Sequence, residues 1–272
     1  MKFVAFQLNR MSARKDSDMT RIGQLPPPWL TDLSVLTVCN FMLGHILAFP
    51  EAFFSFELVQ NFPPTYVQLI YCVLYSPWIA KPLYARVVDR GSWKVWSYVQ
   101  VLMPVSGLLW FIILMTNSMR VTLCLFVLDS LVISFADVAL DTIMVKRSKL
   151  AVDEREVQSH VLIARSMGMM VGVYAGGLVM DAFGSTAVFA CCVVEAMALF
   201  AMSFLLSDIQ FPLANLTTAP SLSSILTVPM RNALIFTLLV HLIPEVNGLY
   251  DFVLIDELRF TPATIGSLDM LG

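Results

Sequence analysis

Seven long apolar runs, separated by short polar segments, constrain what this chain can fold into more than any other feature. Leu30–Pro50, Tyr66–Ala80, Val95–Asn117, Val121–Phe135, Met167–Met180, Ala187–Leu206 and Ala233–Tyr250 each approach the ~20 residues a helix needs to cross a bilayer, once half-buried ends are included. Hydrocarbon offers no partner for a free N–H or C=O, so segments of this kind are expected to be helical. No alternating ten-residue pattern points to a β-barrel. Composition agrees: 58% of the 272 residues are hydrophobic, 14% are charged, and mean hydropathy is +0.76. The first 28 residues are polar and carry Lys2, Arg10, Arg14, Lys15 and Arg21, which is not how a signal peptide begins. The expected fold class is all-α, a polytopic helical membrane protein.

Charge distribution sets an expected orientation. With the N-terminus in the cytoplasm, the inner segments are Met1–Pro28, Lys81–Lys94, Lys146–Arg165 and Ser207–Arg231. They hold five, four, five and one of the 17 Lys and Arg, leaving only Arg120 and Arg259 outside. Basic residues concentrate on the cytoplasmic side of membrane proteins, so this placement is strongly favoured. A seven-helix receptor, with its N-terminus outside, would reverse it. The expected organisation is a cytoplasmic tail (1–28), a six-helix transmembrane bundle (29–206), a cytoplasmic linker (207–231) with Pro212, Pro220 and Pro229, and the start of a second bundle (232–272). Six helices, a linker and a resumption form the layout of a transporter built from two halves. The chain is therefore read as one half plus the opening of the next, either a fragment or a truncated product. A second chain carrying the other half is one way to complete a pathway.

Ionisable groups at membrane depth are costly and face a bundle interior or a wet cavity, which makes them functional candidates. The fourth run leads into Asp129, Asp137 and Asp141. At 100° per residue, Asp137 and Asp141 lie about 40° apart and Asp129 about 80° from Asp137, so all three share one half of the helix circumference. Asp129 and Asp141 are about 18 Å apart along the axis. Such a stripe suits a cation or substrate pathway. Asp141 has the alternative of a salt bridge with Lys146 or Arg165, whereas Asp137 has no basic neighbour one turn away. Arg165 either snorkels to the interface or pairs with Asp141 or an anionic substrate group. Glu195 and Glu245 are further candidates for lining a cavity, and His45 reads as a packing residue.

Other features are structural. Gly168, Gly172 and Gly176, four apart, allow another helix to approach closely. Pro77, Pro104 and Pro244 lie in or beside crossings, where freed carbonyls must be buried or line a cavity. The five cysteines, Cys39, Cys72, Cys124, Cys191 and Cys192, have no metal-ligand or disulfide spacing and read as small core residues. No phosphate loop, catalytic triad or cofactor motif is present. Neither an enzyme activity, a cofactor, a metal nor a nucleic-acid partner is expected.

Four stretches resemble the folate–biopterin transporters of the major facilitator superfamily. Pro77-Trp78-Ile79-Ala80-Lys81-Pro82-Leu83-Tyr84, leading to Asp89, is similar to the family's Pro-Trp-x-x-Lys-Pro-Leu element and its Asp-bearing loop. Asp137-Val138-Ala139-Leu140-Asp141 resembles the Asp-Val-x-x-Asp pattern. Gln158-Ser159, Arg165 and Gly168 match a third motif, with Leu162 in place of its Trp, and Leu258, Phe260, Pro262 and Gly266 match a fourth. The Arg86–Lys94 loop is shorter and less basic than the family's. The resemblance implies a major-facilitator-type six-helix bundle with one or two further helices, and alternating-access symport of folate, biopterin or a related pteridine with a proton. On it, Asp137, Asp141, Arg165, Asp129 and Glu195 are the expected substrate or proton site, and Lys81, Asp89 and Arg90 the gate. A carboxylate accepts paired N–H groups of a pterin ring, and Arg165 meets an anionic end or closes the inner gate. Transport of another organic anion and a non-transporting membrane protein are the alternatives. The plasma membrane and an organelle membrane are both open.

Overall fold

The computed structural model describes residues 28–116, 118–149, 154–206 and 252–271, together with positions 228, 231–232, 235–236 and 250. The described residues are helical, with no strand among them. The N-terminal tail, nearly all of the linker and the seventh apolar run, including Pro244 and Glu245, lie outside them.

Helix α1 (Pro28–Ala48) and helix α2 (Glu51–Asn61) are separated at Phe49-Pro50, where proline has no N–H to continue the ladder. Together they form the first crossing. The second is split into α3 (Pro64–Ile79) and α4 (Lys81–Arg90). Pro82 cannot donate to the carbonyl of Trp78, and Ala80 leaves helical geometry at φ −83° and ψ 1°. Then follow α5 (Val95–Met115), α6 (Met119–Ser148), α7 (Glu154–Phe183) and α8 (Ser185–Ser203). A π-helical turn (Val253–Glu257) and α9 (Pro262–Leu271) come last. Five stretches are long and apolar enough to cross a membrane. The expected second crossing is not among them because its proline-bearing segment breaks it into two pieces.

Two helices outrun the apolar segments that announce them. α6 continues past Phe135 through Asp137 and Asp141, and α7 begins at Glu154 rather than near Met167. In both extensions a buried stripe persists (Ala136, Leu140 and Met144; Val157, Val161 and Ala164), and burial of one face is what holds a helix whose other face is polar.

α1 packs most extensively on α7. Gly168 and Gly172 of α7 meet the backbone at Phe41 and His45 of α1, Gly176 meets that of Phe49 just beyond it, and Gly44 of α1 meets the carbonyl of Arg165. α5 sits between α6 and α8, and α9 leans on α7 where Gly177 faces Pro262 and Gly266. One core, around Leu36, Leu43, Met103, Leu140 and Leu199, fills the end nearest the basic loops. A second, around Phe53, Phe54, Val67, Trp110, Ile113 and Val188, fills the opposite end. Outward faces are apolar as well: Leu69, Ile79, Leu108, Phe111 and Val194 are all exposed, as a lipid-facing surface requires. Cys39 and Cys192 are buried, but Cys72 and Cys124 are on this outer face rather than in the core.

Candidate functional site

Four helices deliver polar side chains to one point in the bundle, and three of them deliver charge. Arg165 on α7 lies with Nη1 2.6 Å from Oδ1 of Asp137, while Nη2 donates to Oδ1 of Asp141 at 2.7 Å. Nη2 and Nε also donate to Oδ1 of Asn40 on α1, at 2.6 and 3.2 Å. From the start of α4, Lys81 Nζ donates to Oδ2 of Asp137 at 2.5 Å. The same ammonium lies 4.3 Å from the centre of the Trp78 ring, within range of a cation–π attraction. Asp137 is completely buried and the Arg165 side chain 14% exposed. Two carboxylates therefore meet two cations, so the network is neutral as a whole. This meets the condition under which charges are tolerated away from water. The Arg165 contact to Asp137 is an ion pair without good hydrogen-bond alignment, whereas that to Asp141 is both.

The break between α3 and α4 is what places Lys81. A continuous helix through Ala80 would carry Lys81 at the ordinary helical angle after Trp78; with the turn there, Tyr84 reaches back to donate to the Pro77 carbonyl at 3.1 Å. At the far end of α6, Gln158 donates to Ser148 Oγ at 3.1 Å and ties the start of α7 to it.

Asp129 stands apart from this network. It is 4% exposed and accepts a hydrogen bond from Ser106 Oγ at 2.5 Å, and no ion pair reaches it among the described residues. It lines a cleft of about 560 Å³, its open mouth included, between α1, α2, α3, α5 and α6. Phe54, Tyr71, Tyr75, Trp78, Trp110 and Phe126 supply aromatic walls, and Glu51 a second carboxylate. Trp78 thus borders the cleft and carries Lys81 over its ring. Glu195 is elsewhere again: its Oε2 lies 3.2 Å from Nδ1 of His45, which stacks on Phe49. Asp89 and Arg90 are exposed at the end of α4 and do not join the network. Among the described residues no group of His, Cys, Asp and Glu is placed to hold a metal.

Asp137, Asp141, Arg165 and Lys81 are therefore brought together, while Asp129 and Glu195 occupy separate surroundings. Of the partners open to Asp141, the structure selects Arg165. The cations on Asp137 come from other helices, which a search one turn along its own helix does not find. Asn40 was not anticipated; a lone amide in the middle of an apolar run was its only signal. The aromatic cleft had none, since its walls are drawn from five elements.

A buried ion network inside a multi-pass bundle with a lipid-facing apolar surface defines an integral membrane protein of the transporter kind. The chain belongs to the BT1 family, the folate–biopterin transporters, whose family model matches residues 44–228. A comparison with curated proteins finds no match. Trp78, Lys81, Asp137, Asp141, Arg165 and Gly168, which stand far apart in the sequence motifs, are all in the network or in the helix contact beside it.

Proposed function

We propose that the chain moves a pteridine, either a pterin or folate, across the membrane by alternating access coupled to a proton, with the Lys81–Asp137–Arg165–Asp141 network as the latch on the cytoplasmic side. The observation that carries this reading is the convergence of α1, α4, α6 and α7 on one neutral cluster. Rocking of helices against one another must break contacts that join them, and these four are charged or charge-assisted contacts that join α1, α4, α6 and α7. Arg165 cannot discharge, so the latch loosens when a proton neutralises Asp137 or Asp141 and frees the cations. The substrate is held in the aromatic cleft, where stacking suits a flat heteroaromatic ring. Asp89, Arg90 and the His45–Glu195 pair then lie off the path and act in gating only through helix position.

Uptake of labelled biopterin and folate into proteoliposomes tests this, with and without an imposed pH gradient. Wild-type uptake should rise with an inward proton gradient and collapse with a protonophore. Asp137→Asn should reduce uptake at least tenfold and remove the response to the gradient. Full gradient-driven uptake by Asp137→Asn would sink the latch, and no uptake of either pteridine would sink the substrate assignment.

A further inference from the structure

We infer that His45 and Glu195 form a second proton-binding site, a clasp between α1 and α8 that closes when the imidazole is charged and loosens when it is neutral. The site is separate from the Asp137 latch, and the inference does not depend on what the chain carries.

Both residues stand at mid-membrane depth. His45 is near the middle of the first crossing, Leu33–Asn61, and Glu195 near the middle of Ser185–Ser203. Oε2 of Glu195 lies 3.2 Å from Nδ1 of His45, and both side chains are about four-fifths buried. That oxygen is sealed from solvent and has no aligned hydrogen-bond partner among the described residues, so the imidazole is the group placed to compensate it. The backbone of His45 is fixed against α7, where a Cβ added at Gly172 would meet the His45 carbonyl at 2.7 Å. The side chain spans from there to α8 between two rings, with Phe41 and Phe49 centroids 6.4 and 5.3 Å away. An aromatic face at the nearer of these distances favours a cation.

The surroundings leave this charge to the pair itself. From Ser166 to Val173, α7 has no titratable residue, and neither has α5 from Val99 to Met115. On α8, Cys191 and Cys192 lie within electrostatic range of Glu195, and Cys192 also within that of Asp129 on α6. The nearest cation along α7, Arg165, is engaged with Asp137, Asp141 and Asn40. A charged imidazole therefore makes the pair neutral, whereas a neutral one leaves a carboxylate without a counter-charge in the bundle. Membrane-embedded charges are costly unless paired, and free imidazole changes charge between about pH 5 and 8. The attraction is thus present on the acid side of that range and lost on the alkaline side. Asn40 is about 7.5 Å further along α1, so a clasp that holds α1 against α8 also holds Asn40 at Arg165.

Nuclear magnetic resonance of the full chain in detergent, carrying ¹⁵N-labelled histidine, tests the inference. The chain has three histidines, and the signal missing from His45→Gln belongs to His45. It should report a charged ring at about pH 6 and a neutral one at about pH 8. Should His45→Gln fail to fold, the signal that survives His160→Gln with His241→Gln makes the same assignment. Melting midpoints supply the second readout. His45→Gln and Glu195→Gln should each lower the midpoint by about 2–4 °C at the acid end, with the deficit at least halved at the alkaline end. His45→Lys, which keeps its charge throughout, should recover most of the loss at both. A His45 ring in one charge state across the range, or a His45→Gln deficit that is equal at both ends, overturns the inference and leaves the pair a packing contact. Neither result bears on pteridine transport.

Discussion

Arg165 keeps its charge under all ordinary conditions, so burying it obliges neighbouring helices to supply acceptors. Two do so, α6 through Asp137 and Asp141 and α1 through Asn40. The two aspartates neutralise charge, but Asn40 does different work: it takes two guanidinium donors on one oxygen and spends its own amide on the Leu36 carbonyl. Asn40→Leu, of similar bulk, removes those acceptors without changing any charge. It should destabilise the protein by ~1–3 kcal/mol, the cost of orphaned donors to a charged group. A thermal melt in detergent reads this, and an unchanged midpoint would show that water replaces the amide. At this scale the sequence was legible where chemistry interrupts hydrophobicity. Asp137, Asp141 and Arg165 stand out because charge is rare in apolar runs; Asn40 does not, because one amide is a weak interruption. Which acceptor meets which donor depends on helix neighbours, and no single-helix periodicity contains that.

Helices α1 and α7 bring Asn40 and Arg165 together only because their backbones approach closely. Gly168 is positioned so that an added Cβ would overlap the Phe41 carbonyl, which is backbone and has no room to give. Gly168→Leu should therefore push the helices apart, lower the yield of folded protein and cost several kcal/mol, beyond the ~1–3 kcal/mol of ordinary overpacking. Gly107→Ala on α5 is the contrasting case. Its Cβ would meet the flexible Met197 side chain at 3.3 Å, and alanine is the better helix former by ~1 kcal/mol, so stability should hold or rise. Comparing the two melting midpoints separates steric from propensity effects, and similar losses in both would refute the close-contact account. The glycine spacing and the existence of each crossing were readable from the sequence. The extents of α6 and α7 and the break at Ala80 were less so, because hydropathy marks what sits in hydrocarbon and not where a helix stops.

The whole molecule is asymmetric from end to end. The aromatic cleft lies around Pro50, Phe54 and Phe126, toward the turns that follow α2 and α5, while the ion network sits deeper toward the basic loops. Along α6 the step from Asp129 to Asp141 is about 18 Å, more than half the ~30 Å hydrocarbon thickness. A ring held in the cleft is thus separated from the basic end by a layer of ion pairs, and which compartment it enters from depends on orientation. The basic residues argue that this end is cytoplasmic. Cysteines placed at Ser92 and Ser118, both exposed in turns at opposite ends, test it once the five native cysteines are replaced, since Cys72 and Cys124 are exposed themselves. In sealed, right-side-out cells an impermeant maleimide should label Ser118→Cys directly and Ser92→Cys only after permeabilisation. The reverse pattern would put the latch on the outer face, so that loading of the cleft would begin from the cytoplasm and the direction assigned to uptake would have to be inverted.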